Sequence, residues 1–598
     1  MSASGWRKIF TKSKDEESFS ASITDEDKIL LWGISKTVLD FFREKTGKQQ
    51  PNILIGCDSR PTGPAIAEIF LRYFITRKTF PKYLFITAAP ELMASAKLDE
   101  QIDGFIYVSA SHNPIGHNGL KFGLGNGGVL GGSQSQVLID RFSQFVESES
   151  EVKKAYMDLQ AAEETVPKIQ EIYQAIDDNK NKSLEHYHQF TDMVFTGTDN
   201  TQLLQKRKQE YTAQINKIRP GVIAELNGSA RTLTIDNTYL TELGCKVTPV
   251  NGVPRQITHR IVPEGASLDL CKEELIKFHD EYPQYVLGYV PDCDGDRGNL
   301  VYYDTETNTC KIIEAQQVFA LTVLAELSFL AYLSDDNTEK LAVVVNGPTS
   351  NRINEIAEAF GCSVFRSEVG EANAVTKARE LREQGYIVRI LGEGSNGGNI
   401  THPAAVRDPL NTVLSIIKLL SIRTTKDKQG LFHIWLTRAG MGSSYDPQYT
   451  LTDILRTIPQ YTTTSAYEDR AIMKVPEITH KQLKASYENL FPSEWEKNKS
   501  ELSKLLEAAS WKEINYEGTQ EKEGSGPGVR TGKEKGGLKI IFLTQKGEHA
   551  AYIWMRGSGT EPVFRVLADV KGDNKEAEEF LLDWQKRMIR KAIANVTG

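Results

Sequence analysis

Three stretches of the chain share one pattern: an apolar run rich in β-branched residues, a small or polar turn, then an amphipathic stretch at helical spacing. They are NILIGCDSRPTGPAIAEIFLRYF from Asn52, GVIAELNGSARTLTIDNTYLTELGCKVTPV from Gly221 and LAVVVNGPTSNRINEIAEAFGCSVF from Leu341. Strands alternating with helices at this spacing predict βαβ units and largely parallel sheets. The second and third stretches end alike, in ELGCKV and AFGCSV, which points to a weak internal repeat and three related α/β domains in series. Chance likeness among βα units is the alternative. The run from Val318 to Leu333 is interrupted by Thr322, Glu326 and Ser328 and is too short to span a bilayer comfortably, so it reads as a buried helix.

Two stretches break the pattern. From about Glu147 to Glu185 the chain is charged (ESESEVKK, DDNKNK) but keeps helical spacing in AYMDLQAAEETVPKIQEIYQAI, which predicts an exposed helical insertion followed by a flexible joint. EKEGSGPGVRTGKEKGG, from Glu521, is rich in glycine and charge and predicts a mobile loop. Beyond it, LKIIFLTQKGEHAAYIWM reads as two strands joined by a turn, and a helix is expected around Lys575 to Asn595. The C-terminal part is therefore α+β.

Composition adds bounds. At 598 residues the chain exceeds one core, and about 100 to 200 residues per domain gives about three to five domains. With 40% hydrophobic and 25% charged residues, a mean hydropathy of −0.38 and a net charge of −8, it has the profile of an ordinary globular enzyme. Nucleic-acid binding is not expected, for want of a basic surplus, nor is a membrane partner. The start, MSASGWRKIFTKSKDEESF, has no apolar core of a leader, so a cytoplasmic protein is expected. Six scattered cysteines without a CxxC pair fit a reducing compartment and argue against a cysteine metal cluster.

Four short segments carry the chemistry. In YVSASHNPIGHNGLKFG, an apolar run ends in a loop of small residues where Ser111 sits beside His112, with Lys121 ten residues on. A hydroxyl next to an imidazole and near an ammonium suits a nucleophile that holds a charged group; a serine cap in an Asn-Pro turn is the alternative. In VLGYVPDCDGDRGNLVYYD, Asp292, Asp294 and Asp296 alternate after an apolar strand, so their oxygens can converge on a hard cation such as Mg²⁺, with Arg297 compensating charge. An EF-hand does not fit, since its loop glycine is misplaced and the twelfth position is Tyr303. An aspartyl-phosphate phosphatase loop and a solvated acidic turn remain as competitors. In LGEGSNGGN, Glu393 and Ser395 lie among glycines, which suits the reading of sugar hydroxyls, and a plain glycine turn fits equally. In WMRGSGTEPVFRV, Arg556, Ser558, Gly559 and Thr560 offer a guanidinium, hydroxyls and open amides to a phosphate monoester, with Arg565 in reserve. No Walker lysine is present, and a plain hairpin turn is the alternative. Together these describe phosphoryl transfer on a phosphorylated polyol.

In this combination and order the chain resembles the α-D-phosphohexomutase superfamily of phosphoglucomutases and phosphomannomutases over nearly its whole length. SASHNP looks like the phosphoserine signature, which implies a phosphorylated Ser111 with His112 beside it; NGLK implies Lys121, and SGWR implies Arg7, as acid/base candidates. DCDGDR is similar to the metal loop, with Ser111 completing the set Asp292, Asp294 and Asp296. GEGSNG is similar to the sugar loop with Glu393, Ser395 and Asn396, VGEAN to a further loop offering Gly370 and Glu371, and RGSGTEP to the phosphate loop. Cys293 and Gly557 depart from common family residues, and Asn396 and Gly397 leave the subfamily unassigned. The resemblance implies four domains around a cleft: 1–184 with the phosphoserine loop and a helical insertion at 147–184, 185–307 with the metal loop, 308–459 with the sugar loop, and an α+β domain at 460–598 with the phosphate loop. It implies Mg²⁺, catalytic amounts of a hexose 1,6-bisphosphate, a small-molecule sugar phosphate as partner, and a monomer or homodimer. The expected reaction interconverts hexose 1-phosphate and hexose 6-phosphate, glucose first, then mannose or glucosamine. A metal-dependent sugar phosphatase using Asp292 and a non-catalytic sugar-phosphate binder are the rivals of a different class.

Overall fold

A computed structural model describes residues 5–334, 339–476, 479–529, 536–557 and 563–597. By internal packing the chain forms two compact units, Met1–Ile313 with Ile400–Ile422, and Glu314–Asn399 with Arg423–Gly598.

In the first unit, β1 (Trp6–Ile9), β2 (Ile53–Cys57), β3 (Lys82–Ile86), β4 (Gly104–Val108) and β5 (His117–Leu124) form a sheet of order β1-β5-β4-β2-β3. β2 pairs in parallel with β3 and β4, while β5 runs antiparallel to β4 and β1. All five residues of β2 and of β4 are buried, as expected of central strands covered on both faces. The helix Asp25–Thr46 lies against this core. Thr24 caps its N-terminus by accepting from the Asp27 amide, three acidic residues occupy its first turn, and Gly47 ends it in the left-handed region.

A second sheet follows: β6 (Gly221–Glu225), β7 (Lys246–Val250), β8 (Tyr285–Pro291), β9 (Gly298–Asp304) and β10 (Thr309–Ile313), in the order β10-β9-β8-β6-β7. β10 pairs with β9, so this sheet runs to Ile313, past the 307 at which the sequence reading closed its second domain. A third sheet, most of it in the second unit, joins β11 (Ala342–Asn346), β12 (Ser363–Ser367), β13 (Ile390–Glu393) and β14 (Gly398–Thr401) in the order β12-β11-β13-β14. The order β3-β2-β4-β5 thus recurs as β7-β6-β8-β9 and as β12-β11-β13-β14. The expected repeat is real at the level of topology: each of the three patterned stretches supplies the first strand and its crossover helix, and the second and third run on into the next strand.

The fourth sheet is antiparallel: β15 (Tyr461–Thr463), β16 (Ile472–Lys474), β17 (Ala508–Glu517), β18 (Gln520–Glu523), β19 (Leu538–Thr544), β20 (His549–Gly557) and β21 (Val563–Lys571). Helices His480–Leu506 and Lys575–Thr597 bury Leu483, Phe491, Trp495, Leu581 and Trp584 against it. The hairpin read from LKIIFLTQKGEHAAYIWM and the last helix are both present. Residues 530–535 of the glycine-rich stretch lie outside the described residues. The helix Ala315–Leu333 is long and apolar enough to cross a membrane, but 78% of its 18-residue apolar window is buried in the protein.

One expectation fails. The joint read from DDNKNK is instead the start of a continuous helix, Ile176–Thr196, preceded by Glu149–Ala161 and Val166–Gln174 and followed by Thr201–Ile218. Asp177, Asp178 and Lys182 face solvent, but Lys180 turns inward and meets the fully buried Glu91 at 2.6 Å, and Lys182 lies 3.5 Å from Asp99. Further along, Tyr187, Phe190, Val194 and Phe195 are buried. Removing one partner of a buried ion pair leaves an uncompensated charge. Lys180→Ala is therefore expected to lower unfolding stability by about 3 kcal/mol in denaturant melts, with Glu91→Gln in the same background recovering part of the loss; a change near zero would show that the helix does not depend on this pair.

Candidate functional site

The loop from β4 to β5 holds Ser111. Its backbone sits at φ 56°, in the left-handed region that non-glycine residues rarely adopt, so the loop around it must hold it there. Two devices do so. The Ser111 amide donates to Ser109 Oγ at 2.8 Å, and the buried Arg60 donates to the Ser111 carbonyl at 2.9 Å and to that of Asn113. Arg60 is itself fixed by Asp58 at 2.5 Å. The cross-strand pair Tyr107↔Lys121 sets Lys121 beside the loop, and Arg7↔Gly119 brings β1 alongside. Only glycine fits at 119, because a Cβ there would lie 2.6 Å from the carbonyl oxygens of both Ser109 and Trp6.

The six residues between Pro291 and Gly298, joined in register at the end of β8 and β9, carry the three aspartates. Their ligand oxygens all fall within 4.8 Å of one another, and each residue is buried. Ser111 Oγ donates to Asp292 Oδ2 at 2.9 Å, and Ser109 Oγ donates to Asp294 Oδ2 at 3.0 Å. Lys121 Nζ bridges Asp294 at 2.7 Å and Asp296 at 3.1 Å, while Arg407 reaches Asp296 at 3.0 Å. Burial, with Asp294 and Asp296 beside it, pushes the Asp292 carboxyl well above the usual carboxylate range. Burial acts on Asp296 in the same sense, but Arg407, Lys121 and Arg297 outweigh it and hold that group below its ordinary value. The Arg297 guanidinium donates to His112 Nδ1 at 2.8 Å, which requires that nitrogen to be unprotonated. Burial and the charges of Arg297 and Arg7 accordingly depress His112 well below 6.5. Arg7 remains exposed to solvent within the field of Arg297, Asp294, Asp296 and Arg60.

Two oxygens, Asp294 Oδ1 and Asp296 Oδ1, are buried without a hydrogen-bond partner. Buried carboxylate oxygens are rarely left so, and an all-oxygen set of three acids beside them fits a hard divalent cation.

The second unit gathers its own polar residues. Glu393 Oε1 accepts from the Gly370 amide at 2.8 Å and from Asn346 at 3.1 Å, and Oε2 accepts from Asn396 at 3.2 Å. Asn346 also reaches Ser395 at 3.4 Å. Glu371 opens the helix Glu371–Glu383 directly after Gly370, which adopts φ 122°. Two residues before Gly370, the buried Glu368 holds Arg556 at 2.9 Å. Arg565 stands opposite Arg556 across β20 and β21, but its guanidinium is engaged by the Ala466 carbonyl at 2.5 Å and the Tyr467 ring. Ser558, Gly559 and Thr560 lie outside the described residues.

The structure therefore joins Ser111, Lys121, His112, Arg297 and the three aspartates, and separately joins Glu393, Ser395, Asn396, Gly370 and, through Glu368, Arg556. Arg60, Arg407, Asn346 and Glu368 were missed from sequence. Only Arg60 had a signal, its place in a small turn after a buried strand, equivalent to the Ser111 loop's own setting.

Three α/β sheets of one strand order thus carry the Ser111 loop, the acidic loop and the Glu393 loop. Residues 3–148 match the family model of phosphoglucomutase/phosphomannomutase α/β/α domain I, and residues 323–435 that of domain III. The chain is 22% identical over 540 residues to the phosphoglucomutase/phosphomannomutase of Thermococcus kodakarensis, covering 90% of each. It is 27% identical over 350 residues to the phosphoglucosamine mutase of Thermodesulfovibrio yellowstonii, covering 58% of this chain and 65% of that one. In fold it is similar to a phosphoglucomutase/phosphomannomutase family protein of Burkholderia thailandensis (TM-score 0.58, 14% identity, 99% and 97% of the chains). It is also similar to parafusin, the phosphoglucomutase of Paramecium (TM-score 0.59, 13% identity, 100% and 95%). Two stretches of the chain thus match domains I and III of the phosphoglucomutase/phosphomannomutase family.

Asp296 contributes an orphaned oxygen and meets both Lys121 and Arg407. Asp296→Asn is expected to weaken Mn²⁺ binding, followed by calorimetric titration, by about tenfold or more; an unchanged affinity would exclude these carboxylates as the cation site.

Proposed function

We propose that this mutase interconverts hexose 1-phosphate and hexose 6-phosphate, with glucose phosphates preferred, in the cytoplasm and with phospho-Ser111 as the working form. The observation that carries the reading is the Ser111 Oγ to Asp292 contact of 2.9 Å, which sets the hydroxyl at the edge of the acidic loop. Asp292, Asp294, Asp296 and the seryl phosphate would hold Mg²⁺, which would supply positive charge against the phosphoryl oxygens.

In the forward step a free hydroxyl oxygen of the sugar monophosphate forms a bond to phosphorus as the bond from phosphorus to Ser111 Oγ breaks. The hydroxyl proton leaves to a base, and the products are a hexose 1,6-bisphosphate and a free serine alkoxide that takes up a proton. Lys121 and Arg7 are the candidates for moving these protons, with His112 assisting through its neutral ring. Phosphoryl transfer of this kind rests on positioning and on stabilising charge, and the left-handed backbone of Ser111, held by Ser109 and Arg60, provides the positioning. The bisphosphate then turns, and its other phosphate returns to Ser111. Catalytic amounts of the bisphosphate would recharge enzyme that has lost its phosphate.

Glu393, Ser395, Asn396, Gly370 and Glu371 are assigned to sugar hydroxyls, and Arg556, Ser558, Gly559 and Thr560 to the phosphate that is not transferred. Arg297 is assigned to the substrate as well as to His112. Arg565, on the neighbouring strand, is assigned to the same phosphate. Mannose and glucosamine phosphates are the alternative substrates, the latter in view of the matched phosphoglucosamine mutase.

With Mg²⁺, glucose 1-phosphate and a trace of glucose 1,6-bisphosphate, the protein is expected to form glucose 6-phosphate, and Ser111→Ala to lose at least about a thousandfold in kcat. Release of inorganic phosphate by the wild type would favour the phosphatase instead, and full activity of the alanine variant would refute the role of Ser111.

A further inference from the structure

The helix Ile176–Thr196, which continues past the charged insertion, reaches the cation loop through one buried polar network. Tyr187, on the helix Ile176–Thr196, donates its hydroxyl to Asp408 Oδ2 at 2.7 Å. Arg231 donates from one nitrogen to the Tyr187 hydroxyl at 3.1 Å, to Asp408 Oδ1 at 3.1 Å and to the carbonyl of Gly295 at 3.4 Å. Its other nitrogens bind Asp236 at 2.7 and 3.1 Å, and Asp236 also accepts from Tyr289 at 2.8 Å. Tyr187, Arg231, Asp236, Tyr289 and Asp408 are each no more than 3% exposed.

Both ends of this network touch the candidate site. Gly295 lies between Asp294 and Asp296, at φ 66°, and a Cβ there would lie 2.4 Å from Arg231 Cδ, so the loop and the guanidinium are in close contact. Asp408 directly follows Arg407, the residue that grips Asp296 at 3.0 Å, and it caps the helix Pro409–Ser421 through the Leu410 amide. One guanidinium thus fixes the loop that presents Asp296 and the segment that presents its partner. It faces two carboxylates, and the second, on Asp408, has the Tyr187 hydroxyl as the donor to Oδ2. Without that donor, a buried carboxylate oxygen loses its hydrogen bond and the segment carrying Arg407 is free to shift.

We propose that Tyr187 is a positioning residue for the cation loop: it reaches in from the helix Ile176–Thr196 and, through Asp408 and Arg231, sets the Arg407–Asp296 contact. The match to the domain I model ends at residue 148, so this residue comes from a segment outside that match. The proposal rests on reading Asp292, Asp294 and Asp296 as a cation site.

Tyr187→Phe keeps the ring and removes only the hydroxyl. Mn²⁺ binding to the variant, without sugar and followed by the EPR signal of the free ion, is expected to weaken about tenfold, as for other groups that orient metal ligands. The Mg²⁺ concentration for half-maximal mutase activity should rise by a similar factor, with KM for the sugar phosphate unchanged. If the phenylalanine variant does not fold, Arg231→Lys, which keeps the charge and loses the fork, should show the same weakening. Mn²⁺ affinity within about twofold of wild type overturns the proposal, whatever happens to the melting temperature. Because the Mn²⁺ arm needs no turnover, it stands apart from the test of mutase activity: a wild type that binds Mn²⁺ but does not isomerise hexose phosphates would refute the proposed reaction alone.

Discussion

Three buried carboxylates within 4.8 Å of one another are the constraint around which the first unit is organised. Like charges at that spacing in a low-dielectric setting repel strongly unless cations and donors meet them. Here the compensation comes from distant parts of the chain: Lys121 from β5, Arg407 from the segment after β14, and hydroxyl donors from Ser109 and Ser111. Two oxygens are still unmatched, and these are what a divalent cation would take up. The nucleophile candidate is thus tied to the acidic loop by the same electrostatics that make the loop tenable.

The repeated topology explains how such a cluster can be assembled from simple parts. In each of the first three sheets the strand order is the same, and in each the chemistry sits on the connection between the third and fourth strands of that order. Ser111 lies between β4 and β5, the aspartates between β8 and β9, and Glu393 to Gly397 around the β13 to β14 connection. A buried parallel core that ends in a short antiparallel return offers a rigid base with a loop of few residues, which suits groups that must be placed closely. One architectural unit therefore supplies the Ser111 loop, the acidic loop and a polar loop, with only the side chains changed.

What the sequence disclosed, and what it hid, follows from locality. Asp292, Asp294 and Asp296 were legible because their spacing within one loop is the signal, and Ser111 because small residues and an Asn-Pro turn interrupt an apolar strand. Three α/β sheets and a terminal α+β part were legible from periodicity alone. Arg407, Glu368 and Asn346 were not, since nothing local separates a charged residue that meets Asp296 or Arg556 from one that faces water. The same limit explains the mistaken joint after Gln174: DDNKNK has the composition of a solvated linker, but Lys180 finds a buried glutamate some ninety residues earlier in the chain. Arg60 leaves little trace in the sequence because its guanidinium holds the backbone carbonyls of Ser111 and Asn113, a role that needs no reactive motif.

The most direct measurement is to follow the phosphoryl group itself. Protein incubated with Mg²⁺ and isotopically labelled hexose 1,6-bisphosphate would be digested and the labelled peptide mapped by mass spectrometry, before and after a chase with unlabelled hexose monophosphate. The account predicts label on Ser111 that leaves with the sugar during the chase. Label on Asp292, or label on Ser111 that the chase does not remove, would contradict it.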